Sequence, residues 1–253
     1  MNSPDPDVTR DDFLGGRLTL SQPRSGYRAG VDPVLLAASV EARAGDTLLD
    51  LGCGVGTAAL CAARRVPGLQ VTGLEVQEDY AALARRNGAE NGIDFEVVTG
   101  DLAQMPATLK ARQFSHVIAN PPYFDRHRTT ASDAADRERA LGEDTPLSDW
   151  VGQAAKRVAP GGSVTFIHRA ERLPDLLSEF RACLGSLVLL PLAPRAGKPP
   201  RLVLLRGKKG GRAGFRLLSP KILHDGCAHD GDRESYTCST ACVLRDGAAL
   251  PFS

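Results

Sequence analysis

Aromatic residues are scarce in this 253-residue chain, which has eight Phe, four Tyr and one Trp. A core must therefore be aliphatic, and any aromatic beside a polar motif stands out. No run reaches the ~18–20 apolar residues of a membrane span, which excludes a spanning helix. The first residues, MNSPDPDVTRDD, lack the basic start and apolar stretch of a signal peptide and read as a frayed acidic tail, 1–12, on a cytosolic protein. Six cysteines, at 53, 61, 183, 227, 238 and 242, are scattered through a long chain without an export signal, so free thiols are expected rather than disulfides. Cys227, His229, Cys238 and Cys242 lack the CxxC-type knuckles of zinc sites, and no metal is expected.

Acidic residues are missing from one stretch altogether. Between Arg195 and Lys221 stand nine Lys or Arg and no Asp or Glu, although the whole chain carries a formal net charge of only +1. One reading of such a run is a solvated face. The other is a stripe that binds phosphates.

What the chain does have is alternation. Strand-like runs at 46–51, 69–76, 94–101 and 114–120 are separated by helical patterns at 57–66 and 78–92. Leu147, Trp150, Val151, Ala154, Ala155 and Val158 recur at helical spacing, and Pro160-Gly161-Gly162 is expected to stop that helix before a strand at 163–168. A helix with Leu173, Leu176, Leu177 and Phe180 on one face follows, then two β-rich runs at 186–192 and 201–207. About eight residues join the last two, too few for a crossover helix, so they pair antiparallel at one edge. The pattern specifies a three-layer α/β fold with a mostly parallel sheet covered on both faces. Ligands of such sheets bind beyond the carboxyl ends of the strands, here after Leu51, Leu74, Gly100 and Ala119.

The first of these ends opens DLGCGVGT, residues 50–57. Gly52, Gly54 and Gly56 permit a tight turn and close backbone approach, and the helix beginning near Thr57 aims its amide ends at the same place. Asp50 beside the loop serves a cationic amino-acid group better than a pyrophosphate. Glu75, at the second end, can accept both hydroxyls of a ribose. Asp101, at the third, can meet an adenine edge directly or through its neighbouring amide. Each alone is an ordinary polar loop residue; in order, at consecutive strand ends, they read as a site for a nucleoside with a charged amino-acid tail, the parts of S-adenosylmethionine.

The fourth end is Asn120-Pro121-Pro122-Tyr123. Two prolines terminate any strand, and termination is one reading. The other is a clamp. The Asn120 side-chain oxygen and the Pro121 carbonyl each accept one N–H of an amine, the prolines freeze both acceptors, and Tyr123 stacks on the planar target.

Asp50 to Thr57, Glu75, Asp101 and Asn120 to Tyr123 together resemble the motifs of class I methyltransferases that methylate exocyclic amines or amides. The likeness runs from Leu48 to Phe124 and through KRVAPGGSVTFIHR, 156–169. GYRAGVDPVLLAAS (26–39), RAGKPPRLVLLRGKKGGR (195–212) and YTCSTACVLRDG (236–247) are similar to segments of the bacterial tRNA adenine-N6 methyltransferases that act beside the anticodon of valine tRNA. The resemblance implies a seven-stranded sheet of order 3-2-1-4-5-7-6, an N-terminal cap at 13–45, and a methyltransferase domain at 46–253 that includes a basic hairpin at 186–221. It implies S-adenosylmethionine as cofactor, held by Asp50, Gly52, Cys53, Gly54 and Gly56 of the loop. Glu75 with Val76, Asp101 with Leu102, and Asn120 complete that set, and Arg28 and Asp32 of the cap reach it.

The tetrapeptide occurs in enzymes that act on adenine N6, guanine N2, cytosine N4 and glutamine amides, so it gives the reaction and not the substrate. The basic run, with Arg195, Lys198, Arg201, Lys208, Lys209 and Arg212, argues for a polyanion, and RNA, tRNA above all, is the expected partner. Tyr27, Tyr123 and Phe124 offer stacking faces. Arg126 and Arg128 either meet flanking phosphates or belong to a mobile polar loop. The acidic loop at 129–146 is either a lid or turned outward. Four alternatives compete: an rRNA guanine-N2 enzyme; a protein-glutamine methyltransferase, which would need a larger substrate domain before the first strand; a nicotinamide-dependent oxidoreductase, which the glycine spacing and Asp50 disfavour; and a non-catalytic RNA-binding protein.

Overall fold

The structure, a computed structural model, describes residues 8–122, 145–226 and 235–252. It begins with an antiparallel hairpin, β1 (Val8–Phe13) and β2 (Leu18–Pro23), followed by α1 (Asp32–Ser39). Residues 8–12, expected in the acidic tail, thus form most of β1. Strand and helix then alternate through β3 (Thr47–Leu51), α2 (Thr57–Arg65), β4 (Gln70–Glu75), α3 (Glu78–Glu90), β5 (Phe95–Thr99), the short α4 (Ala107–Lys110) and β6 (Phe114–Ala119). The second half holds α5 (Leu147–Arg157), β7 (Val158–Arg169), α6 (Leu173–Cys183), β8 (Gly185–Ala193) and β9 (Leu202–Lys208). Two short strands, β10 (Arg216–Leu217) and β11 (Lys221–Ile222), and α7 (Cys238–Asp246) complete it.

The main sheet runs β10-β8-β9-β7-β6-β3-β4-β5, with β11 also paired to β8. Counted from β3, its first seven strands in chain order follow 3-2-1-4-5-7-6, with β9 antiparallel to both neighbours. This is the class I methyltransferase arrangement. Alternation along each strand divides the core between two faces. Leu48, Ile118, Ile167 and Leu204 pack with α1 and α2 on one face. Leu49, Val117, Phe166 and Leu205 pack with α5 and α6 on the other.

Two local differences have clear causes. The Pro-Gly-Gly lies inside β7 and not before it: Phe114 pairs with Val158 but His116 pairs with Ser163, so the intervening residues bulge. Gly161 is left-handed at φ 77°, and a Cβ on Gly162 would lie 2.6 Å from the Ser115 carbonyl oxygen. The glycines therefore permit a bulge where a helix stop was expected. The hairpin β1–β2, in turn, is held by side chains that imitate a strand. Asn87 Oδ1 accepts from Ser21 N at 2.8 Å, and its Nδ2 donates to Ser21 O and Val55 O, each at 3.0 Å. One turn later Asn91 repeats the exchange with Thr19, at 3.1 and 2.9 Å.

The C-terminal segment closes over α1. Leu250 N donates to Ala38 O at 2.8 Å, and buried Arg206 pairs with Glu41 at 2.7 Å while lying 4.4 Å from the Phe252 ring centre. Among the described residues no helix is long and apolar enough to cross a membrane, and no group of three or more His, Cys, Asp or Glu is placed to hold a metal ion. Cys53, Cys61, Cys183, Cys238 and Cys242 are free thiols, whereas Cys227 and His229 lie outside the described residues.

Candidate active site

Strand register assembles the site. Leu51 at the end of β3 pairs with Leu74 of β4 on one side and Ala119 of β6 on the other, and Glu75 pairs with Thr99 of β5. Neighbouring strands lie about 4.8 Å apart, so Asn120, Gly52, Glu75 and Gly100 leave the sheet as a row along one edge.

The glycine loop is built for close approach. Gly52, Gly54 and Gly56 all have positive φ, at 65°, 55° and 88°, a region that costs other residues dearly. A Cβ on Gly52 would lie 2.5 Å from the Trp150 ring, and one on Gly56 2.6 Å from Phe95. At Gly54, by contrast, nothing lies nearer than Tyr27 Cε1 at 4.0 Å, so the loop faces open space there. Gly54 N donates to Glu75 Oε2 at 2.8 Å and Gln77 N to Oε1 at 3.0 Å, which fixes the carboxylate against the loop. Asp50 lies behind the loop, buried, and accepts from Ala59 N at 3.2 Å.

Burial is the main force on these acids. It pushes Asp50 up to about 8, with the nearby Glu75 charge adding to the rise. Burial likewise raises Glu75, against the hydrogen bonds from Gln77, Gly54 and Val76. No Lys, Arg or His is ion-paired with either acid among the described residues. Two neighbouring buried carboxylates without a protein cation suit a ligand that brings positive charge. A nucleoside carrying a sulfonium and an ammonium does so, and Gly54 leaves room for its approach.

On the clamp side, Asn120 Nδ2 donates to Tyr27 Oη at 3.2 Å, and the Tyr27 carbonyl accepts from Tyr80 Oη at 3.1 Å. Tyr27 is half exposed, yet partial desolvation of its phenol, then the charges of Asp32 and Asp50, raise it above its usual value, so it is neutral at ordinary pH. Pro121 is buried and Pro122 exposed. Tyr123, Phe124, Arg126, Arg128 and residues 129–144 of the acidic loop lie outside the described residues.

The remaining expected residues divide. Asp101 accepts from Ala103 N at 2.8 Å at the next strand end, Val76 is exposed beside Glu75, and Leu102 is buried with Leu74 and Met105 in the lower core. The Cys53 side chain turns away from the open side of the loop: it is buried, and a Cβ on Gly73 would lie 2.6 Å from its Sγ. Its backbone carries its part, with N donating to Leu74 O and the carbonyl accepting from Gly56 N. Asp32 opens α1 within electrostatic reach of Tyr27. Arg28 does not face the loop. Its guanidinium pairs with Asp11 at 2.7 Å and donates to Thr9 Oγ1 and Pro23 O, which ties the cap's own hairpin together. Trp150, read from sequence only as part of a helix face, is the residue that covers Gly52; sequence spacing carries no sign of that contact.

The basic run is not one stripe. Arg195 is buried, and its guanidinium donates to the carbonyls of Asp225 and Gly226 and to Ser235 Oγ. These bonds close a loop, and they occupy the guanidinium that the sequence offers to RNA. Lys209 Nζ donates to Ala155 O at 2.7 Å. Because β9 runs antiparallel to β7, Lys198 and Arg201 are exposed near the Asn120 end, while exposed Lys208 and Arg212 lie toward the opposite end.

The family model described as the methyltransferase small domain matches residues 29–180. A tRNA1(Val) (adenine(37)-N6)-methyltransferase of Porphyromonas gingivalis is 31% identical over 177 residues, covering 66% of this chain and 68% of the relative. A solved structure from Agrobacterium tumefaciens, described as a predicted O-methyltransferase, superposes with a TM-score of 0.68 at 25% identity, covering 87% of this chain and 98% of the other. A 16S rRNA N2 G1207 methyltransferase of Thermus thermophilus, solved with AdoMet and guanosine, gives a TM-score of 0.56 at 20% identity, covering 80% of this chain and 50% of the other.

Proposed function

Because this chain belongs to the methyltransferase small-domain family and takes its methyl group from S-adenosylmethionine, we propose that it methylates the exocyclic N6 of an adenine beside the anticodon of a tRNA, in the cytosol. The observation that carries the reading is the register of β3 against β6, with Leu51 opposite Ala119, which starts the glycine loop and the Asn-Pro-Pro elbow side by side. The relative from Porphyromonas gingivalis, whose description names an adenine of tRNA, supports the choice of base.

S-adenosylmethionine supplies, when bound, an electrophilic methyl group on a sulfonium. Glu75, and Asp50 once the cationic group displaces its proton to solvent, provide negative charge for its ribose and amino-acid parts, and Gly54 gives its backbone room. The adenine amine is a weak nucleophile because its lone pair is delocalised into the ring. Asn120 Oδ1 and the Pro121 carbonyl accept its two N–H bonds and so draw the lone pair out of conjugation. The Tyr27 hydroxyl, by accepting from Asn120 Nδ2, holds the amide with its oxygen on the other side. The fixed φ of the prolines removes freedom that would otherwise be lost on reaching the reactive geometry. The proton leaves the methylated amine to solvent after attack, so no strong base is required. Exposed Lys198 and Arg201, near the same end of the sheet, are placed for RNA phosphates.

The test is transfer of a labelled methyl group to tRNA lacking modifications, followed by nucleoside analysis. The expected product is N6-methyladenosine from the anticodon loop. Label in another nucleoside, or in a protein glutamine, overturns the adenine assignment.

A further inference from the structure

The loop after β9 is firmly packed yet presents apolar side chains to solvent. A Cβ on Gly211 would lie 2.8 Å from the Gly185 carbonyl carbon, so the backbones of the loop and of β8 meet with no room for a side chain. Ser186, itself left-handed at φ 50°, accepts at Oγ from Ala213 N at 2.9 Å. Leu218 N donates to Leu189 O at 2.9 Å, and Leu218 packs against the core. Between these fixings Phe215 is 53% exposed and Leu217 64%. Lys208, Arg212 and Arg216 around them are exposed as well.

Phe215 and Leu217, two residues apart on this fixed backbone, form an exposed apolar pair rimmed by cations, which is the make-up of a contact surface. Its charge selects the partner, since Lys208, Arg212 and Arg216 are exposed and no Asp or Glu occurs between them in the sequence. Cations interleaved with an exposed aromatic suit a nucleic acid, whose bases stack while its phosphates are neutralised. Pairings place this edge relative to the clamp. Arg216 stands opposite Val188, Val188 opposite Arg206, Arg206 opposite Thr165, and Thr165 opposite Ile118, two residues before Asn120. Four strand spacings separate β10 from β6, or ~19 Å.

The geometry points to a second RNA-binding surface at this sheet edge, where Phe215 stacks on a base and Lys208, Arg212 and Arg216 meet phosphates, ~20 Å from the elbow. The inference rests on the proposal that the substrate is RNA, and it adds that the enzyme grips the substrate beyond the loop that enters the site.

The experiment compares Phe215→Ala and the double variant Arg212→Glu/Arg216→Glu with the unaltered protein. Substrates are full-length unmodified tRNA and an anticodon hairpin too short to reach the edge. Each variant is expected to raise the KM for tRNA about tenfold and to leave kcat, hairpin KM, donor affinity and melting temperature unchanged. The charge-reversal variant also flattens the salt dependence of tRNA binding. Unchanged tRNA KM and salt dependence in both variants, while the unaltered protein methylates tRNA, overturns the second surface and leaves the RNA reading standing. Failure of the unaltered protein to bind or methylate RNA overturns both. A dimer that Phe215→Ala dissociates, with tRNA KM unchanged, assigns the edge to a second copy and overturns the inference.

Discussion

At the scale of single residues, the site depends on side chains whose partners come from distant parts of the chain. Tyr27 and Asn120 are 93 positions apart and meet through one hydrogen bond of 3.2 Å. Tyr27→Phe removes only that hydroxyl. It is expected to lower kcat about three- to tenfold, with donor affinity unchanged by calorimetry. Asp50 gives a pH signature. The folded protein keeps its proton up to about pH 8, whereas an unfolded aspartate releases it near ~4. Between those values the unfolded chain binds fewer protons, so Asp50 makes the ligand-free fold less stable as pH rises. Asp50→Asn is expected to flatten the fall of melting temperature across this window and to weaken donor binding. A variant whose melting profile parallels the original contradicts the assignment of that titration to Asp50.

At the scale of elements, the strands and helices of the sheet were legible because aliphatic runs and helical spacing alternate cleanly from Thr47 to Phe180. The glycine loop and elbow were legible because glycine and proline act on their own backbone. The hairpin β1–β2 was not, because its second strand is secured by the amides of Asn87 and Asn91, and a polar residue in a helix gives no sign of which backbone it will bond. Asn87→Ala leaves the Ser21 backbone and the Val55 carbonyl without these partners. It is expected to cost about 2–4 kcal/mol in denaturant unfolding and to raise amide exchange across 18–23. The division of the basic run was hidden for a similar reason. Charge counting cannot separate Arg195 and Arg206, which are buried in hydrogen bonds and an ion pair, from Lys198 and Arg201, which are exposed.

At the scale of the whole molecule, both ends of the described chain close over helices on one face of the sheet. The hairpin meets α3 and the loop through Asn87, and the C-terminal segment meets α1 through Leu250 and Phe252. Arg206 joins the sheet, Glu41 and Phe252, so Arg206→Ala is expected to make residues 235–252 more susceptible to limited proteolysis while the sheet stays folded. Susceptibility equal to that of the unaltered protein contradicts this role.

In the proposed mechanism, donor site and amine clamp are separate parts brought together by strand register. Calorimetric donor affinity and single-turnover rate, measured side by side on Asn120→Ala, test it most directly. The expected donor Kd lies within about threefold of that of the unaltered protein, and the expected rate is at least ~100-fold lower. A rate within about threefold of the unaltered protein contradicts it.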